Sequence, residues 1–234
     1  MTPERRASVS AGVLFIAGTA TSLASSAVEH PVLTGTGYLT RITENTGRVS
    51  TGGLLELLAA GASAGIAVAL YPVLRARSES LALGAVVFRA LEAVMYAVGA
   101  VLTLSLLTVA RYYEQASGPG RGALQQIGDA LTGVRDAAIL AGVFAYVLGA
   151  LMYYCLLYRT RLLPRWLTGW GIAAEAPMLA ACFAALFGHS PVTSFTLLIV
   201  PIAVQEMVLA VWLLAKGFAP RPATAGLTVT PGRG

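Results

Sequence analysis

Three observations predict an all-α, polytopic membrane bundle of six transmembrane helices with the N-terminus and C-terminus both cytoplasmic. Hydrophobic residues make up 56% of the 234-residue chain and charged residues only 12%, a balance far from that of a water-soluble domain. Six stretches are apolar over about the 20 helical residues that a hydrocarbon core of roughly 30 Å requires. Basic residues fall two to one on alternate connections, and that bias orients the spans.

The first span, 8–28, follows Arg5 and Arg6 and contains VLFIAG and then the small-residue patch SLASSA. That order of charge, apolar run and small residues also admits a cleaved signal peptide within 1–28. The second, 51–74, contains Gly61 and Gly65, a small-xxx-small pattern that lets another backbone approach closely. Packing within the bundle accounts for it better than a dimerisation face, and the oligomeric state is not legible. The third, 80–110, is too long for a perpendicular span, so it tilts or projects as far as Arg111, Tyr112 and Tyr113. The fourth, fifth and sixth run over 136–158, 166–187 and 195–216.

Short connections at 75–79 and 159–165 make spans two and three, and four and five, antiparallel neighbours. The longer stretches 29–50 and 111–130 are rich in Gly, Thr and Ser and read as outer loops. Residues 1–218 form one transmembrane domain, and 219–234 read as a disordered cytoplasmic tail without the means to bury anything.

With the N-terminus inside, the cytoplasmic segments hold Arg5, Arg6, Arg75, Arg77, Arg159, Arg161, Arg165, Lys216, Arg221 and Arg233. The opposite side holds Arg41, Arg48, Arg111, Arg121 and Arg135. Tyr71, Tyr158, Trp166 and Trp170 fall at the inner interface and Tyr112 and Tyr113 at the outer one, as aromatic belts do. The net charge of +5 therefore reports orientation. No basic, aromatic-interleaved surface suggests nucleic acid, and the partner implied is the lipid bilayer. Cys155 and Cys182 lie in apolar runs and read as small buried hydrophobes.

The informative residues are ionisable ones that the spans cannot avoid. Glu56 lies near the outer end of span two, Arg89 and Glu92 within span three, Glu175 midway along span five and Glu206 midway along span six. Asp136 begins span four, where it can act as a helix cap. A charge at mid-bilayer costs at least roughly 2.5–3.5 kcal/mol, so these side chains should face inward. Four acids face one base, so the surplus carboxylates must be protonated, hydrated or holding a cation. At a rise of ~1.5 Å per residue, Glu56 lies ~8 Å and Glu206 ~16 Å from the outer side, and Glu92 ~18 Å from the inner. Arg89 and Glu92, at i and i+3, share a face and can pair with each other or with neighbouring helices.

His30 and His189 fall in outer loops beside prolines, so an embedded His-metal site or Ser-His-Asp triad has no support. No Gly-rich phosphate loop or HExxH is present. No cofactor or metal is implied. Chemistry would run on carboxylates, the arginine, and hydroxyls such as Tyr96, Tyr153 or Tyr154, a set suited to proton transfer.

The pieces AGVLFIAGT, GGLLELL at 52–58, LYPVLRARSESLALGAVVFRALEAV at 70–94, MYYCLLYRTRLLPRWLTGWG at 152–171 and QEMVLAVWLLAKGF at 205–218 run in order over residues 5–218. Together they resemble the bacterial membrane-protein family catalogued as domain of unknown function 4386. The resemblance implies six helices in the bacterial cytoplasmic membrane. It also implies that Glu56, Arg89, Glu92 and Glu206 belong to the family's own motifs, which Glu175 does not obviously do. One departure is VRDA, where Arg135 stands before Asp136 in place of an expected histidine.

Three functions fit these residues. One is a membrane-embedded acid/base or binding site for an apolar or amphiphilic ligand, a lipid or isoprenoid, with Glu92 and Glu206 exchanging protons, Arg89 tuning them and Glu56 relaying. Another is a proton-coupled transporter, since LEAVMYAV at 91–98 and QEMVLAVW at 205–212 are slightly alike and the two halves would run oppositely. Pro177 and Pro201 would interrupt spans five and six, without counterparts in spans two and three. The third is a structural protein whose buried charges fix helix register.

Overall fold

The computed structural model of the chain describes residues 1–188 and 191–219, with side chains for all of these except 193, 194 and 196. His189 and the tail from 220 lie outside the described residues. Among the described residues the secondary structure is entirely helical: α1 (Pro3–Leu33), α2 (Tyr38–Glu44), α3 (Thr46–Leu74), α4 (Glu79–Gln115), α5 (Pro119–Thr160), α6 (Arg165–Gly188) and α7 (Ile199–Ala215). A 3-10 segment, Val192–Leu198, leads into α7.

Five helices, α1, α3, α4, α5 and α6, are long and apolar enough to cross a membrane, while α7 is a shorter apolar helix of 17 residues. Each helix reverses direction relative to the one it packs on. α1 packs on α3, α3 on α4, α4 on α5, α5 on α6, α6 on α7, and α7 returns to α1. The six helices thus close into a ring.

Closure is fixed at the end that carries the N-terminus. Arg5 donates to the carbonyls of Leu213 and Leu214, at 3.0 and 2.5 Å, and Ser8 donates to Leu213 at 2.6 Å. These carbonyls belong to the last turn of α7, which has no intrahelical donors, so α1 caps α7 with a cation and a hydroxyl. Gly12 allows the two axes to meet, because a Cβ there would come within 3.0 Å of the Ala210 carbonyl oxygen. Two helix starts are capped by side chains: Thr2 accepts from the Arg5 amide, and Ser78 from the Leu81 amide.

The structure differs from the sequence expectations at the far end of the ring. The stretch 29–50, expected as a loop, contains the end of α1, all of α2 and the start of α3. The stretch 111–130 is interrupted only between Gln115 and Pro119. The physical reason is a second apolar cluster outside the spans. Leu39, Ile42 and Val49 are completely buried with Leu106 and Ala110 of α4, and Leu131 of α5 packs against them. Gly128, one turn before Leu131, lets α2 approach α5, since a Cβ there would run into the Tyr38 hydroxyl and the Leu39 side chain. Tyr38 donates to Asp129 at 2.9 Å. Burial, and then this bond, push its phenol up to about 12.

Two further expectations change. Asp136 does not begin its helix, since α5 starts at Pro119, so it caps nothing. Pro201 occupies the first turn of α7, where a missing N–H is harmless, while Pro177 does lie inside α6.

Because Leu39 joins α2 to the ends of α4 and α5, Leu39→Ala is expected to destabilise that layer by about 2–5 kcal/mol. Amide exchange across residues 38–44 should accelerate while exchange in the middle of α4 stays slow. Uniform protection in the variant would contradict a packed layer.

Candidate functional site

Every member of the ring sends polar side chains to its axis. Arg89 and Glu92 of α4 are both almost fully buried, and Arg89 Nη1 lies 3.1 Å from Glu92 Oε2. The two atoms meet as charges and are not aligned as a hydrogen bond. Arg89 reaches the axis across α5 because residue 149 is glycine. A Cβ there would stand 3.1 Å from Arg89 Cγ. Its guanidinium then lies over the ring of Tyr146, 4.8 Å from the centroid.

Glu206 of α7 faces the same guanidinium. Its two oxygens accept from Thr19 of α1 at 3.0 Å and from Tyr146 of α5 at 3.1 Å. Next to it, Gln205 accepts from Tyr154 at 2.6 Å and donates to the Leu167 carbonyl of α6 at 3.2 Å. Glu175 of α6 is 1% exposed, and neither of its carboxylate oxygens has a hydrogen-bond partner. Tyr146 stands close to Glu175 too, but one phenol has one proton, and its geometry gives that proton to Glu206. Glu175, Glu206, Glu92 and Arg89 lie within electrostatic range of one another.

Several polar atoms at this centre lack hydrogen bonds: Arg89 Nε and Nη1, Glu92 Oε2, the Ser63 and Tyr153 hydroxyls and both Glu175 oxygens. Arg89 Nη1 and Glu92 Oε2 still hold each other as an ion pair, and the other five, gathered at one place, mark an interior built for something other than packing.

A second cluster lies toward the far end. Arg135 of α5 pairs with Glu29 of α1 at 3.0 Å and donates through Nε to Thr103 of α4 at 2.6 Å. Glu29 is 3% exposed. It fits against α3 only because residue 52 is glycine, for a Cβ there would overlap its carboxyl-bearing arm. Glu56 of α3, half-buried against Gly99, lies within electrostatic range of Arg135 and Glu29. Asp136 is 4.0 Å from Arg135 and a third exposed.

The expected residues therefore divide. Arg89, Glu92 and Glu206 meet at the axis, with Glu175 as a fourth member. Glu56 and Asp136 stand apart with Arg135. Tyr96 lies between the groups, feeling the charges of Glu92, Arg89 and Glu56. It is carried by a stripe on α4 that places Arg89, Glu92, Tyr96, Gly99 and Thr103 at intervals of three and four.

Glu29, Thr19 and Tyr146 were not singled out in the sequence, and Arg135 was assigned to the outer loops. Glu29 and Arg135 lie just beyond the ends of the apolar stretches. The helical repeat that carries α5 past residue 136 was the signal for Arg135.

A family model described as Domain of unknown function (DUF4386) matches residues 10–217. The chain belongs to that family. No curated protein and no solved structure matches the chain. In this DUF4386 protein every residue of both polar clusters falls within the matched residues.

Removing Arg135 leaves Glu29 buried without its counter-charge. Arg135→Met is expected to cost about 3–5 kcal/mol, and Glu29→Gln combined with it to cost less than the two singles added. Denaturant unfolding in detergent of the four proteins completes this cycle, and strict additivity would mean that the pair does not interact.

Proposed function

We propose that this protein is a six-span protein of the bacterial cytoplasmic membrane, both termini cytoplasmic, whose ring encloses an acid/base site for an apolar or amphiphilic ligand such as a lipid or isoprenoid. The observation that carries the proposal is the meeting of Glu92, Glu175 and Glu206, from three helices, around the single guanidinium of Arg89. For the sixth span, α7 closes the ring between α6 and α1 and is lengthened by the 3-10 segment before it.

One arginine balances one carboxylate. Holding two more negative charges in a low-dielectric interior is costly enough that the surplus is carried as protons or a bound cation. Among the described residues no three His, Cys, Asp or Glu side chains are grouped to ligate a metal ion, which favours protons. Thr19 and Tyr146 both donate to Glu206, an arrangement that suits an ionised acceptor. Glu175 receives no donor, which suits the acid that holds a proton. In this reading Glu175 delivers a proton to an alkene or an ester carbonyl, and Glu92 or Glu206 accepts one afterwards. Arg89 holds the charge balance, and its Nε, which makes no hydrogen bond, is a donor for an oxygen of the ligand.

A second reading, proton-coupled transport, is favoured by the α4 stripe. Arg89, Glu92, Tyr96 and Thr103 span ~21 Å of helix axis and lead from the axial site to Arg135, with Glu56 alongside. Such a chain of ionisable and hydroxyl groups is what a proton path between the centre and the far face requires.

The protein purified from native membranes, with Glu175→Gln and Glu206→Gln beside it, distinguishes these readings. For an acid/base site, a protonated-carboxyl stretch in the infrared is expected to vanish with Glu175→Gln. The co-purifying amphiphile seen by mass spectrometry should fall roughly tenfold, about 1.4 kcal/mol of binding. Unchanged lipid in both variants, with insertion intact, would remove the ligand reading. For transport, vesicles carrying the protein should take up protons down an imposed gradient, and Glu92→Gln should abolish the uptake.

A further inference from the structure

The end of the ring that carries the N-terminus holds a depression of about 610 Å3 unrelated to the axial site. It lies between the α5–α6 connection and the chain leaving α7, and Arg161, Arg165, Lys216, Leu163, Trp212 and Phe218 are among its lining residues. No carboxylate lines it, and among the described residues none of the three cations pairs with a carboxylate. Three like charges around one hollow repel each other, which is tolerable where an anion comes to sit between them.

The hollow is built into the backbone. The amide of Ala219 donates to the Leu162 carbonyl at 2.9 Å, tying the end of α7 to the connection. Arg161 has φ 54, the one non-glycine residue with positive φ among the described residues. A left-handed arginine is strained, and its retention here goes with an exposed cation followed immediately by the buried Leu162 and Leu163.

Aromatic residues set the depth. Trp166 and Trp212 contact edge to face at 6.3 Å, Lys216 Nζ lies 4.4 Å from the Trp212 ring, and Arg165 stacks on Tyr158 at 5.3 Å. Tryptophan and tyrosine with lysine and arginine at helix ends occupy the headgroup level of a bilayer. Basic pockets between helices at that level receive the phosphates of anionic lipids.

We propose that this hollow binds the headgroup of an anionic phospholipid, with the phosphate among Arg161, Arg165 and Lys216 and the acyl chains leaving past Trp212 and Phe218. The apolar half of the lining and a volume well above that of one phosphate favour a lipid over free phosphate as the source. The site does not depend on the chemistry proposed at the ring axis.

The full chain in detergent is titrated with phosphatidylglycerol and phosphatidylcholine and read by native mass spectrometry. The wild type is expected to prefer phosphatidylglycerol by roughly tenfold to a hundredfold, at about 1 kcal/mol per basic residue. The variant combining Arg161→Gln, Arg165→Gln and Lys216→Gln should lose that preference, and the exposed single change Lys216→Gln should reduce it several-fold. Arg75→Gln with Arg77→Gln, basic positions at the same end but outside the hollow, should leave it unchanged. Retention of the preference in the triple variant, or an equal loss in the Arg75 and Arg77 control, would overturn the site. Displacement of the lipid by millimolar inorganic phosphate would reassign it to a soluble anion.

Discussion

Arg89 is a cation that five helices gather around. Glu92 on the same helix balances the charge of this buried guanidinium, and the other polar groups around it come from neighbouring helices. Glu92 comes from its own helix, Glu206 from α7 and Glu175 from α6, while α1 and α5 supply the hydroxyls that hold Glu206 in place. Closing the ring between α7 and α1 is therefore an electrostatic requirement as much as a packing one. Without α7, the Thr19 hydroxyl has no carboxylate to meet and Arg89 loses an anion.

The two polar clusters divide the bundle into functionally different levels. The axial cluster carries more acceptors than donors and leaves atoms unpaired. The far cluster has the same excess of acids, but its arginine is engaged by Glu29 and Thr103 at short distances. The hydrogen-bonded Arg135 pins α1, α4 and α5 together, whereas the Arg89 guanidinium makes no such bond through Nε or Nη1. Glycines determine which side chains reach each level. Gly149 gives Arg89 its passage and Gly52 gives Glu29 its seat.

The apolar helices and the buried acids on them were legible because an ionisable residue inside an apolar stretch has few places to go. Arg89, Glu92, Glu175 and Glu206 stand out on that ground alone, and their meeting follows from facing inward at similar depth. The far end was not legible in the same way. Glu29 and Arg135 sit where apolar runs give way to Gly, Thr and Ser, which is how loops also look. The short YLTRITE stretch of α2 has no membrane-like length, so only its burial against Leu106 and Ala110 makes it a helix. Asp136 was misplaced for the same reason, since the apolar stretch begins well inside the helix that contains it.

The spacing of Arg89 and Glu92 also matters before the ring exists. Glu206 lies 117 residues beyond Arg89, so α4 is synthesised long before α7 emerges. An arginine inserted alone would face lipid uncompensated for that interval. With Glu92 one turn away on the same helix, the charge travels with its own counter-ion and the helix can cross as a nearly neutral unit. In the complete chain the pair is still closed at 3.1 Å, so the spacing that would neutralise α4 on its own is the one that centres the assembled bundle.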